Sequence, residues 1–131
     1  MIGALIKHLL VENEDLTNLV GSGKIFPYII NKDTTLPTIV YMIEGVDPEY
    51  SKDGWVLDKV RFSVSAFSND YAELQKILLQ IRESLELKSG TIQSIIIRPI
   101  YMTGLTEGFN ITEDTFMLKI DFNVEVIGWD L

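Results

Sequence analysis

The chain contains no cysteine and only one histidine, His8. Without cysteine there can be neither a disulfide scaffold nor a thiolate metal site. One histidine leaves the usual nucleophile and base pairs few members to draw on. Cations are scarce as well: eleven Lys and Arg stand against nineteen Asp and Glu, a formal net charge of −8. They are scattered from Lys7 to Lys119 with no run among them, which argues against a protein that grips nucleic acid by its phosphates. An acidic surface still permits a place beside DNA that must slide past. No apolar run reaches the roughly 20 residues needed to span a bilayer. The apolar stretch over residues 1–10 also lacks the cationic start and small-residue cleavage site of a secretory signal. The expectation is a cytoplasmic chain with no membrane partner.

Motifs that carry chemistry are missing in the same way. No serine stands in a Gly-x-Ser-x-Gly elbow. The one Gly-rich step, Gly21-Ser22-Gly23, follows a predicted helix, the wrong end for an anion. The stretch from Glu49 through Ser51 and Asp53 to Gly54 has the glycine of a calcium loop. Its first ligand is Glu instead of Asp, however, and its twelfth position is Val60 instead of Glu, so a solvated acidic loop is the better account. Asn110-Ile111-Thr112 matches a glycosylation sequon by chance, there being no secretory signal. The expectation is therefore no catalytic residue, no cofactor and no metal.

What is present is a core. The 131 residues fit one domain, 1–131, and 47% hydrophobic against 23% charged residues is enough to bury an interior without a staple. Ile2, Leu5, Ile6, Leu9 and Leu10 recur on one helical face over residues 2–12. A second short helical stretch, 13–20, ends at Gly21. Asp70, with Glu73 three residues on, marks a helix start. From there Tyr71, Leu74, Ile77, Leu78, Ile81 and Leu85 line one side over 71–85, with Glu73, Lys76, Gln80 and Glu83 opposite.

Strands are predicted near 25–30, where Pro27 marks an edge, and over 38–45. A third is centred on Val60, Phe62, Val64 and Ala66. Two more cover 91–104, broken by Pro99, and 116–127, where Leu118, Ile120, Phe122, Val124 and Val126 alternate with polar residues. The predicted fold is α+β: an antiparallel or mixed sheet of about four to five strands, with two main helices packed on one face. Two long loops, 45–55 and 105–114, expose Tyr50, Trp55 and Phe109, residue types that anchor interfaces. Leu79 lies off the helix's apolar side and is either an ordinary exposed leucine or a subunit contact. These four form the candidate partner surface.

The order of certain residues adds a resemblance. A leading helix closes on Leu19-Val20-Gly21 and is followed by Lys24-Ile25-Phe26-Pro27. Leu36-Pro37 then precedes a strand with Ile39-Val40-Tyr41. Ala66-Phe67 runs into Ser68-Asn69-Asp70-Tyr71 and a helix with Ile81-Arg82 and Leu85, and the last strand carries Asp121-Phe122-Asn123-Val124. From about Leu5 to Ile127 this resembles the tail-completion, or tail-terminator, proteins of long-tailed phages and prophages. It departs in having Thr38 where that family tends to have an aromatic, and Lys24 where arginine is common.

The resemblance implies a homo-oligomeric, hexameric ring on the last ring of the tail tube. Such a ring stops elongation and offers a joining surface to a head-completion or connector protein. DNA passes its lumen without specific binding. The place implied is the head-proximal end of the virion tail, after assembly in the bacterial host cytoplasm. Other readings are another head–tail neck component or a small-molecule or peptide-binding module, with an enzyme the weakest.

Overall fold

A computed structural model describes residues 2–30 and 34–128. Met1, which heads the apolar N-terminal run, and the middle of the polar loop after Ile30 lie outside the described residues. The chain opens with α1 (Ile2–Glu12) and α2 (Glu14–Val20), then a 3-10 turn (Ser22–Lys24) and β1 (Ile25–Pro27). It continues through β2 (Thr38–Ser51), β3 (Gly54–Ser68) and α3 (Tyr71–Leu85). It closes with β4 (Gly90–Ile92), β5 (Ile95–Ile97), β6 (Tyr101–Asn110) and β7 (Thr115–Gly128). The α+β expectation holds, but among the described residues there are three α-helices and seven strands where two main helices and four to five strands were expected.

The sheet runs β1-β2-β3-β7-β5-β4, with β6 also paired to β7, and is curled into a half-barrel. Among the described residues only β1 and β2 pair in parallel; the other pairings are antiparallel. On the long central strands, period-two alternation sends Val60, Phe62, Val64 and Ala66 of β3 and Leu118, Ile120, Phe122, Val124 and Val126 of β7 to one face. Phe62 stands opposite Phe122, and their rings stack at 5.2 Å. The helices cover that face. Leu5, Ile6 and Leu10 of α1 and Leu74, Ile77, Ile81 and Leu85 of α3 are all within 1% of full burial in the same cluster. Tyr71, the first residue of the predicted apolar side, is instead exposed and meets Phe116 edge-on at 5.4 Å.

Local chemistry sets the helix ends. The Asn13 side chain accepts from Leu16 N to cap α2, and its amide donates to Ser84 Oγ at 2.9 Å, tying the α2 start to α3. Asp70 caps α3 by accepting from the backbone N–H groups of Ala72 and Glu73. The buried Ser68 hydroxyl accepts from Asp70 N at 3.0 Å and lies 2.8 Å from Glu73 Oε1, standing between the two residues that a direct capping box would join.

Two segments lengthen predicted strands, and a third supplies the extra ones. Residues 45–55 are not a loop: β2 and β3 stay paired out to Ser51 and Gly54. Residues 105–114 likewise form most of the β6–β7 hairpin, paired to Asn110 and Thr115. Both arms are largely exposed on both faces, so neither shows the alternation that marks a half-buried strand. The run 91–104 divides into parts of β4, β5 and β6. Gln93 and Ser94 both take left-handed φ (52° and 64°), the geometry of a tight two-residue hairpin between β4 and β5.

Candidate assembly surface

Each arm carries one cluster of exposed apolar side chains. On the β2–β3 arm, Tyr50 (68% exposed) lies directly across from Trp55 (43% exposed) near the tip. The Trp55 indole N–H donates to Asp58 Oδ1 at 2.9 Å, which fixes the ring against its own strand. Val46 and Val56 add exposed apolar surface on the same arm. On the β6–β7 arm, Phe109 packs on Phe116 with ring centroids 4.7 Å apart. Leu105 and Ile111 are exposed on the same arm.

The second arm is braced by α3. Glu107 accepts from the Tyr71 hydroxyl at 3.0 Å and from Gln75 Nε2 at 2.9 Å. The Glu107 carboxylate holds the Tyr71 hydroxyl above its ordinary pKa, chiefly through that hydrogen bond.

Besides the outer edges of the three-residue strands β1 and β4, two longer stretches of strand edge are open among the described residues, one on β2 and one on β6. β1 covers β2 only along Ile39 to Tyr41, leaving the rest of β2 open. That stretch is blunted by Glu44, Asp47, Pro48 and Glu49, devices that discourage unplanned pairing. The free edge of β6 is less protected: it has ten residues, no proline, no lysine and one charge, Glu107, with a single register shift against β7 between Met102 and Gly104. An exposed edge of that length and composition asks for a partner strand.

The sheet face turned away from the helices is polar. Glu44 of β2 and Lys119 of β7 meet there at 3.1 Å, bridging across β3, and Asp121 Oδ1 lies 3.8 Å from the same ammonium. The Glu44 carboxyl is held below the usual carboxylate range, first by the Ser63 hydroxyl and then by Lys119. The Lys119 ammonium is held above its ordinary value, chiefly by Glu44. A cleft of about 530 Å³ on this flank contains Arg61 and Arg98, but each is already matched, to Asp47 at 3.3 Å and Glu125 at 2.7 Å.

Tyr50 and Trp55 are thus brought together, Phe109 sits on the second arm, and Leu79 (60% exposed) stands apart on α3. His8 lies on α1 with Nε2 3.2 Å from Glu12, and its Nδ1 is 3.2 Å from the Gln93 side chain. Glu49 and Ser51 belong to a paired strand and not to an acidic loop. Among the described residues, no three His, Asp or Glu side chains gather where they could hold a metal ion. Sequence reasoning missed the bare edge of β6, because residues 105–110 read as loop. A signal was available in its low charge and its spacing from the well-marked β7.

The fold has known counterparts. The chain superposes on a chain from the virion of a native gene transfer agent particle with TM-score 0.81 at 14% identity, covering 95% of this chain and 93% of that one. A second solved structure matches with TM-score 0.57 at 9% identity, covering 98% of each chain. No protein-family model matches the sequence, and no curated protein matches it.

Proposed function

We propose that this chain is a structural assembly protein that forms a ring on the end of a phage tail tube, stops tube growth and presents the head-joining surface. The observation that carries this reading is the shared fold, over nearly the whole of both chains, with a chain of a virion. The two free edges supply a physical route to the ring. The open part of β2 on one copy faces the bare edge of β6 on the next, a head-to-tail contact that closes when its rotation divides the circle. The arms add the aromatic anchors Tyr50, Trp55 and Phe109 to such a contact. With a net charge of −8, the ring offers few cations to phosphates, so DNA passes its lumen without being held. The reading involves no catalysis, cofactor or membrane.

The test is to mix the purified protein with assembled tail tubes and image the tube ends. Capped ends, and tubes that stop lengthening, are expected. Bare ends on tubes that keep growing with the protein in excess contradict the terminator role. The virion likeness also suits a second reading, another head–tail neck component, and this outcome is distinct: the protein then decorates the head vertex and leaves the tube ends bare.

A further inference from the structure

We infer that the groove between the α1–α2 corner and the C-terminal half of α3 docks a basic amphipathic helix from a partner protein. The groove lies on the helical layer, away from the strand edges, so the inference does not depend on the ring. Its volume is about 1150 Å³, above the roughly 300–1,000 Å³ of small-molecule pockets. The Asn13 amide is engaged by Gln80 and Ser84, so the free polar groups lie at the groove's border.

Its walls instead present aliphatic side chains. Leu79 and Leu87 are 60% and 64% exposed, with Ile92 and Leu9 beside them. Leu87 is held out by an unusual backbone, at a left-handed φ of 62° where a bulky residue is rare. Two hydrogen bonds clamp it there, Leu87 N to Ile100 O at 2.8 Å and Ile100 N to Lys88 O at 3.1 Å. A strained residue kept exposed and apolar is a reason to look for function.

The rim fixes the sign of the partner. Glu12, Asp15 and Glu83 border the groove, and Asp15 and Glu83 have no partner among the described residues. Arg82 is neutralised by Glu86 at 2.8 Å, which leaves Lys88 as the remaining cation on the rim. A second copy of this acidic chain would bring carboxylates against carboxylates. A helix with leucines at i, i+3, i+4 and i+7 flanked by Lys and Arg complements both floor and rim.

The probe is a synthetic Leu/Lys helix, with a scrambled peptide of the same composition and a Leu/Glu helix as controls, read by fluorescence anisotropy and amide NMR shifts. The amphipathic basic peptide is expected to bind about tenfold tighter than its scramble, the order of loss for one misplaced anchor. Binding should weaken with salt, and shifts should centre on Leu79, Leu87 and Ile92. Leu87→Gly removes the side chain where glycine suits the backbone, so the fold is kept; it and Leu79→Ala should each weaken binding about tenfold. Asp15→Lys with Glu83→Lys should abolish the salt dependence. Equal binding of the scramble, shifts confined to the β arms, or full binding by Leu87→Gly each overturns the proposal.

Discussion

Lys119 Nζ lies 3.1 Å from Glu44 Oε1, so one ion pair joins β7 to β2 across the intervening β3. Glu44, with its carboxyl pKa depressed, contributes stability that is present above its unfolded value and is lost as pH falls through its folded value. Lys119 works with the opposite sign: its raised pKa gives a contribution present below the unfolded value and lost as pH rises through the folded one. Both side chains are about one-third exposed, so the pair is worth only about 0.2–1 kcal/mol. Lys119→Met should raise the Glu44 pKa in a carboxyl NMR titration without unfolding the protein. A Glu44 pKa that does not move would show the bridge to be absent in solution.

The helix α3 should behave as core. Leu78 is 9% exposed and Ile81 fully buried, so Ile81→Ala should cost about 2–5 kcal/mol and Leu78→Ala about 2, at the lower end of that range. Urea unfolding checks both. A Leu78→Ala cost well below about 1 kcal/mol, less than such a cavity should incur, would mean that side chain is not packed as described.

Trp55→Ala should leave the domain folded, with a cost below about 1 kcal/mol, because its ring is half-exposed on an arm and not in the interior. The same variant should reduce binding to tube ends, and Phe109→Ala should act alike. An unfolded Trp55→Ala protein would place the indole in a structural role.

Calcium or magnesium at millimolar concentration should leave the melting temperature unchanged, since Glu49 and Ser51 lie in a paired strand and do not wrap an ion. A concentration-dependent rise would reveal a site, because a ligand bound only by the native state stabilises it by mass action.

The sequence was most readable where one face of an element is buried. The alternation on β7 and the 3.6-residue period of α3 came through because Leu118, Ile120, Leu74 and Ile77 all face the same interior. The cap at Asp70 was also legible, being a local side chain to backbone contact, whereas Asn13, read as the first helical residue, is the cap of α2. The arms were not. Outside the core, residues such as Asp47, Pro48, Gly104 and Gly108 answer to pairing with their neighbouring strand and not to burial, and their types are those of turns. For the same reason Tyr50, Trp55 and Phe109 were visible as aromatics amid polar residues, while the strand edges they sit on were not. Leu87 was invisible too: its exposure follows from a backbone angle that no composition rule reveals.

Assembly through the open edges of β2 and β6 can be measured directly, because the chain has no native cysteine. A panel of double variants, each with one cysteine in the open part of β2 (Asp47→Cys or Glu49→Cys) and one on β6 (Thr103→Cys or Thr106→Cys), is oxidised after sedimenting with tail tubes and resolved on a denaturing gel. At least one pairing is expected to give a ladder of cross-linked chains ending at a single closed oligomer. Protein that caps tubes while every pairing stays monomeric on the gel would contradict assembly through these edges.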